Sequence, residues 1–127
     1  MNALVLDASA WVDALLDPQR GPRIRHRIAG LSLHAPAHVD IELLSALGRM
    51  QRAGTLTEGA VSDYLRVADR MPIERHLLQP LTIGAWARRH NLRLSDAYYV
   101  ELADQLDVPL ITTDLRLARA TPRAEAI

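Results

Sequence analysis

Apolar positions along this chain follow two rhythms, short unbroken runs and stretches with helical spacing, and the two alternate. Ala3-Leu4-Val5-Leu6 is a continuous apolar run, the pattern of a strand buried on both faces of a parallel sheet. Asp7 ends it. Trp11, Val12, Leu15 and Leu16 then recur at helical spacing from Ser9 onward, and Asp17-Pro18 closes that helix. In the stretch Gln19 to Ala29, a second helix is predicted after Gly21-Pro22, with Ile24 and Ile28 as a narrow apolar edge among arginines and Gly30 as its stop. Leu31 to Pro36 alternates like a strand. Val39, Leu43, Ala46, Leu47 and Met50 mark a helix to about Arg52, stopped by Gly54. Thr57 caps a further helix that runs to about Met71, before Pro72. A short strand is expected within Ile73 to Leu78, and a helix from Pro80 to His90. Another helix runs to Leu106, with Ser95 as N-cap and Asp96 in its first turn. Val108 to Thr113 reads as a strand ending before Asp114. Leu115 to Ala118 reads as a short helix, and Ala124 to Ile127 as an edge strand.

Strands alternating with helices throughout argue for an α/β protein: a mostly parallel sheet with helices on both faces, three layers in all. The 127 residues predict one domain, residues 1–127, large enough for a real core. No run is long and apolar enough to span a membrane, and no basic stretch precedes the first strand, so neither a span nor a secretory leader is expected. The absence of cysteine excludes disulfides, zinc–thiolate sites and thiol nucleophiles, and fits a reducing, cytoplasmic setting. The net charge is zero, which argues mildly against a general nucleic-acid binder. There is no lysine, which excludes a P-loop and weakens any phosphatase or receiver chemistry that pairs strand-end aspartates with a lysine.

Four acids carry the candidate chemistry. In open α/β sheets, ligands bind outside the carboxyl ends of the strands. Asp7 and Asp114 each follow an apolar strand. Asp96 opens a helix, and Glu42 lies about 100° around its helix from the inward-facing Leu43, at the edge of the apolar stripe. Asp40 points to another face. Singly, each acid has a plainer role: Asp7 and Asp114 as caps, Asp96 as a complement to the helix dipole, Glu42 as a solvated edge. Together in one cleft they would need a cation or raised pKa values. Each like-charged pair at about 4 Å costs roughly 4 kcal/mol at an effective dielectric near 20. An all-oxygen donor set favours Mg²⁺ or Mn²⁺ over zinc. The five histidines show no pairing at metal spacing: His34 and His38 straddle Pro36. Ser9, Ser45 and Ser95 have no nucleophile-elbow context. Trp11, Trp86, Tyr98 and Tyr99 read as core or dimer contacts rather than base-stacking platforms.

Four stretches, in this order and spacing, resemble PIN-domain ribonucleases of the VapC type, the toxins of bacterial toxin–antitoxin pairs. They are Val5-Leu6-Asp7-Ala8-Ser9-Ala10, Ile41-Glu42-Leu43-Leu44-Ser45-Ala46-Leu47, Ser95-Asp96-Ala97-Tyr98-Tyr99-Val100-Glu101-Leu102-Ala103 and Leu110-Ile111-Thr112-Thr113-Asp114. The resemblance covers nearly the whole chain. It implies a PIN-like α/β/α fold and an acidic quartet of Asp7, Glu42, Asp96 and Asp114. Asp7 and Asp96 would be the metal ligands, with Glu42 and Asp114 completing the shell or positioning water. Ser9 and Thr112 match the family's supporting hydroxyls, although Ser9 can equally be a helix cap. The implied function is a Mg²⁺-dependent (or Mn²⁺-dependent) endoribonuclease of a type II pair, a homodimer silenced by a cognate VapB-type antitoxin, with an Arg-lined groove for RNA. The alternative is a PIN-like module without catalysis that binds RNA or protein. The intact quartet ranks it second.

Overall fold

The structure, a computed structural model, describes residues 2–127. Five strands form one sheet, all parallel, in the order β3-β2-β1-β4-β5. The strands are β1 (Ala3–Leu6), β2 (Ser32–Pro36), β3 (Ile73–His76), β4 (Leu110–Thr112) and β5 (Ala124–Ala126). β1 is central and buried at every position, which is why its four residues are apolar without alternation. It pairs with β2 through Leu4↔Leu33 and with β4 through Val5↔Leu110 and Leu6↔Ile111. The chain leaves β1 towards β2 and β3, then returns to the other side of β1 for β4 and β5. The carboxyl end of β1 is therefore a point where strand order reverses, the usual place for a crevice in such sheets.

Helices cover both faces. One layer holds α1 (Ala8–Leu16), which packs against α2 (Arg20–Ile28), α3 (Val39–Arg52) and α4 (Glu58–Arg70). The other holds α5 (Thr82–Ala87) and α6 (Leu94–Leu106), the latter lying across β1, β2 and β4. A short helix α7 (Leu115–Ala120) links β4 to β5. Trp11, Leu4, Leu6, Ile24, Leu47, Tyr99 and Ile111 are among the fully buried side chains that fill the space between. The expected α/β/α arrangement holds, and the sheet is wholly rather than mostly parallel.

Several boundaries differ from the pattern-based expectation. Gly21 and Pro22 fall inside the first turn of α2, where a proline costs no hydrogen bond, so the helix starts at Arg20. The Pro80 to His90 stretch is a 3-10 turn over Gln79–Leu81 followed by only six residues of α5. Ser95 is not an N-cap: α6 already begins at Leu94, with Arg93 at the cap and no side-chain capping bond. Thr57 does cap α4, its hydroxyl accepting from the Ala60 amide at 3.1 Å. Gly30 and Gly54 take φ of 76° and 79°, the left-handed conformation that ends α2 and α3.

Candidate active site

The loop after β1 places Asp7 at the sheet's carboxyl edge, and its side chain caps α1 by accepting from the Ala10 amide at 2.8 Å. The capping role and the cleft role thus fall on the same residue. Asp7 is only 4% exposed. Burial raises its pKa to about 6, with the Thr112 hydroxyl, the Ala10 amide and the Ser9 hydroxyl pulling the other way and the Asp96 charge adding to the rise. Ser9 is no cap. Its hydroxyl donates to Asp7 Oδ1 at 2.7 Å and accepts from the Thr113 amide at 3.2 Å.

The second strand end meets this one through hydroxyls. Thr112, fully buried at the end of β4, stands 3.2 Å from Ser9 and accepts from the Asp114 amide at 3.0 Å. Asp114 caps α7 through the Arg116 and Leu117 amides. A chain of short polar contacts therefore ties the loop after β1 to the loop after β4, adjacent in the sheet and a hundred positions apart in sequence.

Two helix starts bring the other acids. Val39, Leu43 and Leu47 of α3 are buried, and Glu42 sits beside that stripe over the cleft. Asp40 turns away to pair with Arg75 at 2.8 Å. Tyr99 of α6 donates to Glu42 Oε1 at 2.5 Å. Burial, then the Glu42 charge and this hydrogen bond, push the Tyr99 pKa far above its ordinary value, so the phenol keeps its proton. His38, one turn before Glu42, lies 3.5 Å from the same oxygen and 2.9 Å from the Ser95 carbonyl. Both neighbours stand against Oε1. Asp96, in the first turn of α6, has its pKa raised by burial and then by Asp114 and Glu42, against Arg93 and Arg116.

Asp7, Glu42, Asp96 and Asp114 line one cleft of about 340 Å³, together with Ser9 and Tyr99. Arg49, Arg93 and Asp13 also line it and were not singled out from sequence. A signal for Arg49 existed: it lies two helical turns beyond Glu42 on the same face of α3. Tyr99, three residues after Asp96, shares a face with it in the same way. Its expected role as a core residue is correct, and it also touches an acid. Four carboxylates on one cleft, with Asp7 and Asp96 resisting ionisation, are the oxygen donors a hard divalent cation takes.

The chain resembles known proteins in sequence and in fold. The PIN domain profile matches residues 4–121. The chain is 54% identical over 125 residues to Ribonuclease VapC3 of Mycobacterium tuberculosis, covering 98% of this chain and 91% of that one. The chain belongs to the PIN-domain family, in its VapC branch. Ribonuclease VapC12 of the same organism is 35% identical over 122 residues, covering 92% of this chain and 91% of its own. Among solved structures, PAE2754 from Pyrobaculum aerophilum superposes with a TM-score of 0.71 at 25% identity, covering 96% of this chain and 81% of that one. A toxin–antitoxin complex from Klebsiella pneumoniae contains a chain with the same fold, with a TM-score of 0.65 at 14% identity and coverage of 97% and 96%. In this PIN-domain chain, the four acids sit where the sheet's strand order reverses.

Proposed function

We propose that this PIN-domain protein is a divalent-metal-dependent endoribonuclease acting as the toxin of a type II toxin–antitoxin pair in the cytoplasm. The observation that carries the reading is the convergence of Asp7, Glu42, Asp96 and Asp114 on one cleft, with Asp7 and Asp96 held at raised pKa. Asp7 and Asp96 would hold Mg²⁺ or Mn²⁺, with Glu42 and Asp114 completing the shell or positioning water. The bound ion supplies positive charge at the scissile phosphate and makes a nearby water more acidic. The chain's own residues do the rest. Ser9 and Thr112 fix Asp7 in one rotamer through their hydroxyl contacts. Tyr99 holds Glu42 in place at the cleft through its hydrogen bond to Oε1. Arg49 and Arg93 stand at the cleft wall, where guanidinium groups can take the phosphates on either side of the cut. Arginine there offsets a neutral net charge, because RNA needs a local cationic surface more than a global one. Relatives named as VapC ribonucleases support the RNA substrate and a VapB-type antitoxin partner. A homodimer remains part of the proposal.

The test is cleavage of RNA by purified protein in Mg²⁺, in Mn²⁺ and in chelator, beside Asp96→Asn. The variant removes one charge at nearly constant volume. Cleavage that needs metal and vanishes in a folded Asp96→Asn protein is the expected result. Wild-type cleavage by that variant, or equal cleavage in chelator, overturns the assignment.

A further inference from the structure

A second set of ligand-type side chains stands on the sheet itself, away from the acidic cleft. His34 belongs to β2, and Glu74 and His76 belong to β3, the strand at the sheet's edge. The parallel register sets His34 beside Glu74 and Pro36 beside His76. Residues two apart on a strand share a face, so all three side chains rise from the same side of the sheet. Their donor atoms lie within 4.8 Å of one another. His34 Nδ1 is 2.9 Å from His76 Nε2 and 3.2 Å from Glu74 Oε2. None of the three lines the acidic cleft.

Hydrogen bonding cannot satisfy this trio well. If His34 Nδ1 carries a proton, the imidazole nitrogen of His76 and the Glu74 carboxylate compete for it. If it does not, the carboxylate faces a lone pair. If both rings are charged, two N–H groups meet head-on. A cation satisfies all three atoms at once. Around Zn²⁺, with bonds of about 2.0–2.1 Å, tetrahedral ligand atoms stand about 3.3 Å apart, close to the two separations measured from His34 Nδ1. Two imidazoles and one carboxylate suit a borderline transition ion rather than Mg²⁺. His34 is largely covered, while Glu74 is 67% exposed, so the fourth position opens to water.

We propose that His34, Glu74 and His76 form a Zn²⁺ site that pins the edge strand β3 to β2. The site is separate from the acidic cleft and does not depend on how that cleft works. The experiment uses the full chain, free of any histidine tag, in excess Mg²⁺ to occupy oxygen-only sites. Zn²⁺ is titrated by calorimetry into wild type, Asp96→Asn, His34→Gln and His76→Gln, and each is melted with and without Zn²⁺. The expected result is one Zn²⁺ bound by wild type and by Asp96→Asn. In both histidine variants the affinity should fall by about tenfold or more, since even partners one shell out contribute 10–100-fold. Zn²⁺ should raise the melting midpoint of the first two proteins only. His34 is largely buried, and if its variant does not fold, His76→Gln on the edge strand decides alone. No Zn²⁺ bound by wild type in excess Mg²⁺, or equal binding by His76→Gln, overturns the site.

Discussion

Replacing Asp7 with asparagine should stabilise the metal-free protein, by an amount that grows with pH. Asp7 is almost wholly buried and titrates near 6 in the folded chain, against 3.8 as its unperturbed value. A carboxylate whose folded pKa is raised holds its proton more tightly in the native state. Its contribution is fully present below the unfolded value and is lost as pH rises through the folded one, between about 4 and 6. At 1.36 kcal/mol per unit, the full penalty is about 3 kcal/mol above that window. By the same linkage it is already about 1 kcal/mol at pH 4.5, so it grows by about 2 kcal/mol up to pH 7.5. Asp7→Asn removes the charge and keeps an oxygen for the Ser9 and Ala10 donors. Its stability relative to wild type should therefore rise by about 2 kcal/mol over that range, or roughly 6–10 °C in melting midpoint at this chain length. Taking the difference between the two proteins cancels the titration they share. The assay is thermal or urea unfolding of both from pH 4.5 to 7.5 in chelator, then with Mn²⁺. Mn²⁺ should restore the wild type by about 2.7 kcal/mol at a hundredfold excess over Kd and help the variant less. A difference that stays flat across the pH range refutes the buried, proton-holding Asp7.

Further outcomes follow from single contacts. Tyr99→Phe removes the donor to Glu42 Oε1 and should cost about 1 kcal/mol of stability, while lowering kcat with KM little changed; an unaltered kcat means that Tyr99 does not orient Glu42. Arg49→Ala should raise KM for RNA and flatten its salt dependence without moving the melting midpoint, read from cleavage rates at several ionic strengths. Thr57→Ala should cost about 1 kcal/mol in urea unfolding by losing the cap of α4, with cleavage untouched. Trp11→Ala, at a fully buried centre of α1, should cost roughly 3–5 kcal/mol by the same measurement.

The order of strands and helices was legible because burial on both faces forces unbroken apolar runs such as Ala3 to Leu6 and Leu110 to Ile111. The acids were legible for a related reason, since Asp7 and Asp114 break those runs at the carboxyl ends of strands. Helix starts were less so. Ser95 looks like a cap by residue type, but the helix already begins one residue earlier, at Leu94, and its side chain is not called on. The His34, Glu74 and His76 cluster could not be read at all. Spacing along the chain says nothing about two strands forty residues apart until their register is known, and that register alone sets the histidines together. Arg49 and Arg93 were missed because a charged residue on a helix is usually just solvated. Arg49 had one signal, its place two turns beyond Glu42, whereas only the shape of the cleft distinguishes Arg93 from the other arginines.

The hydroxyl chain from Asp7 through Ser9 and Thr112 to Asp114 has a consequence for the birth of the molecule. Its two ends leave the ribosome about a hundred residues apart, so β1 waits for β4 as its neighbour. A growing chain that carries Asp7, Glu42 and even Asp96 still lacks the strand that closes the site. On the proposed function, a nascent copy is therefore harmless to the message being translated. On the same reading, a truncated product that lacks β4 would carry no nuclease activity to escape the antitoxin.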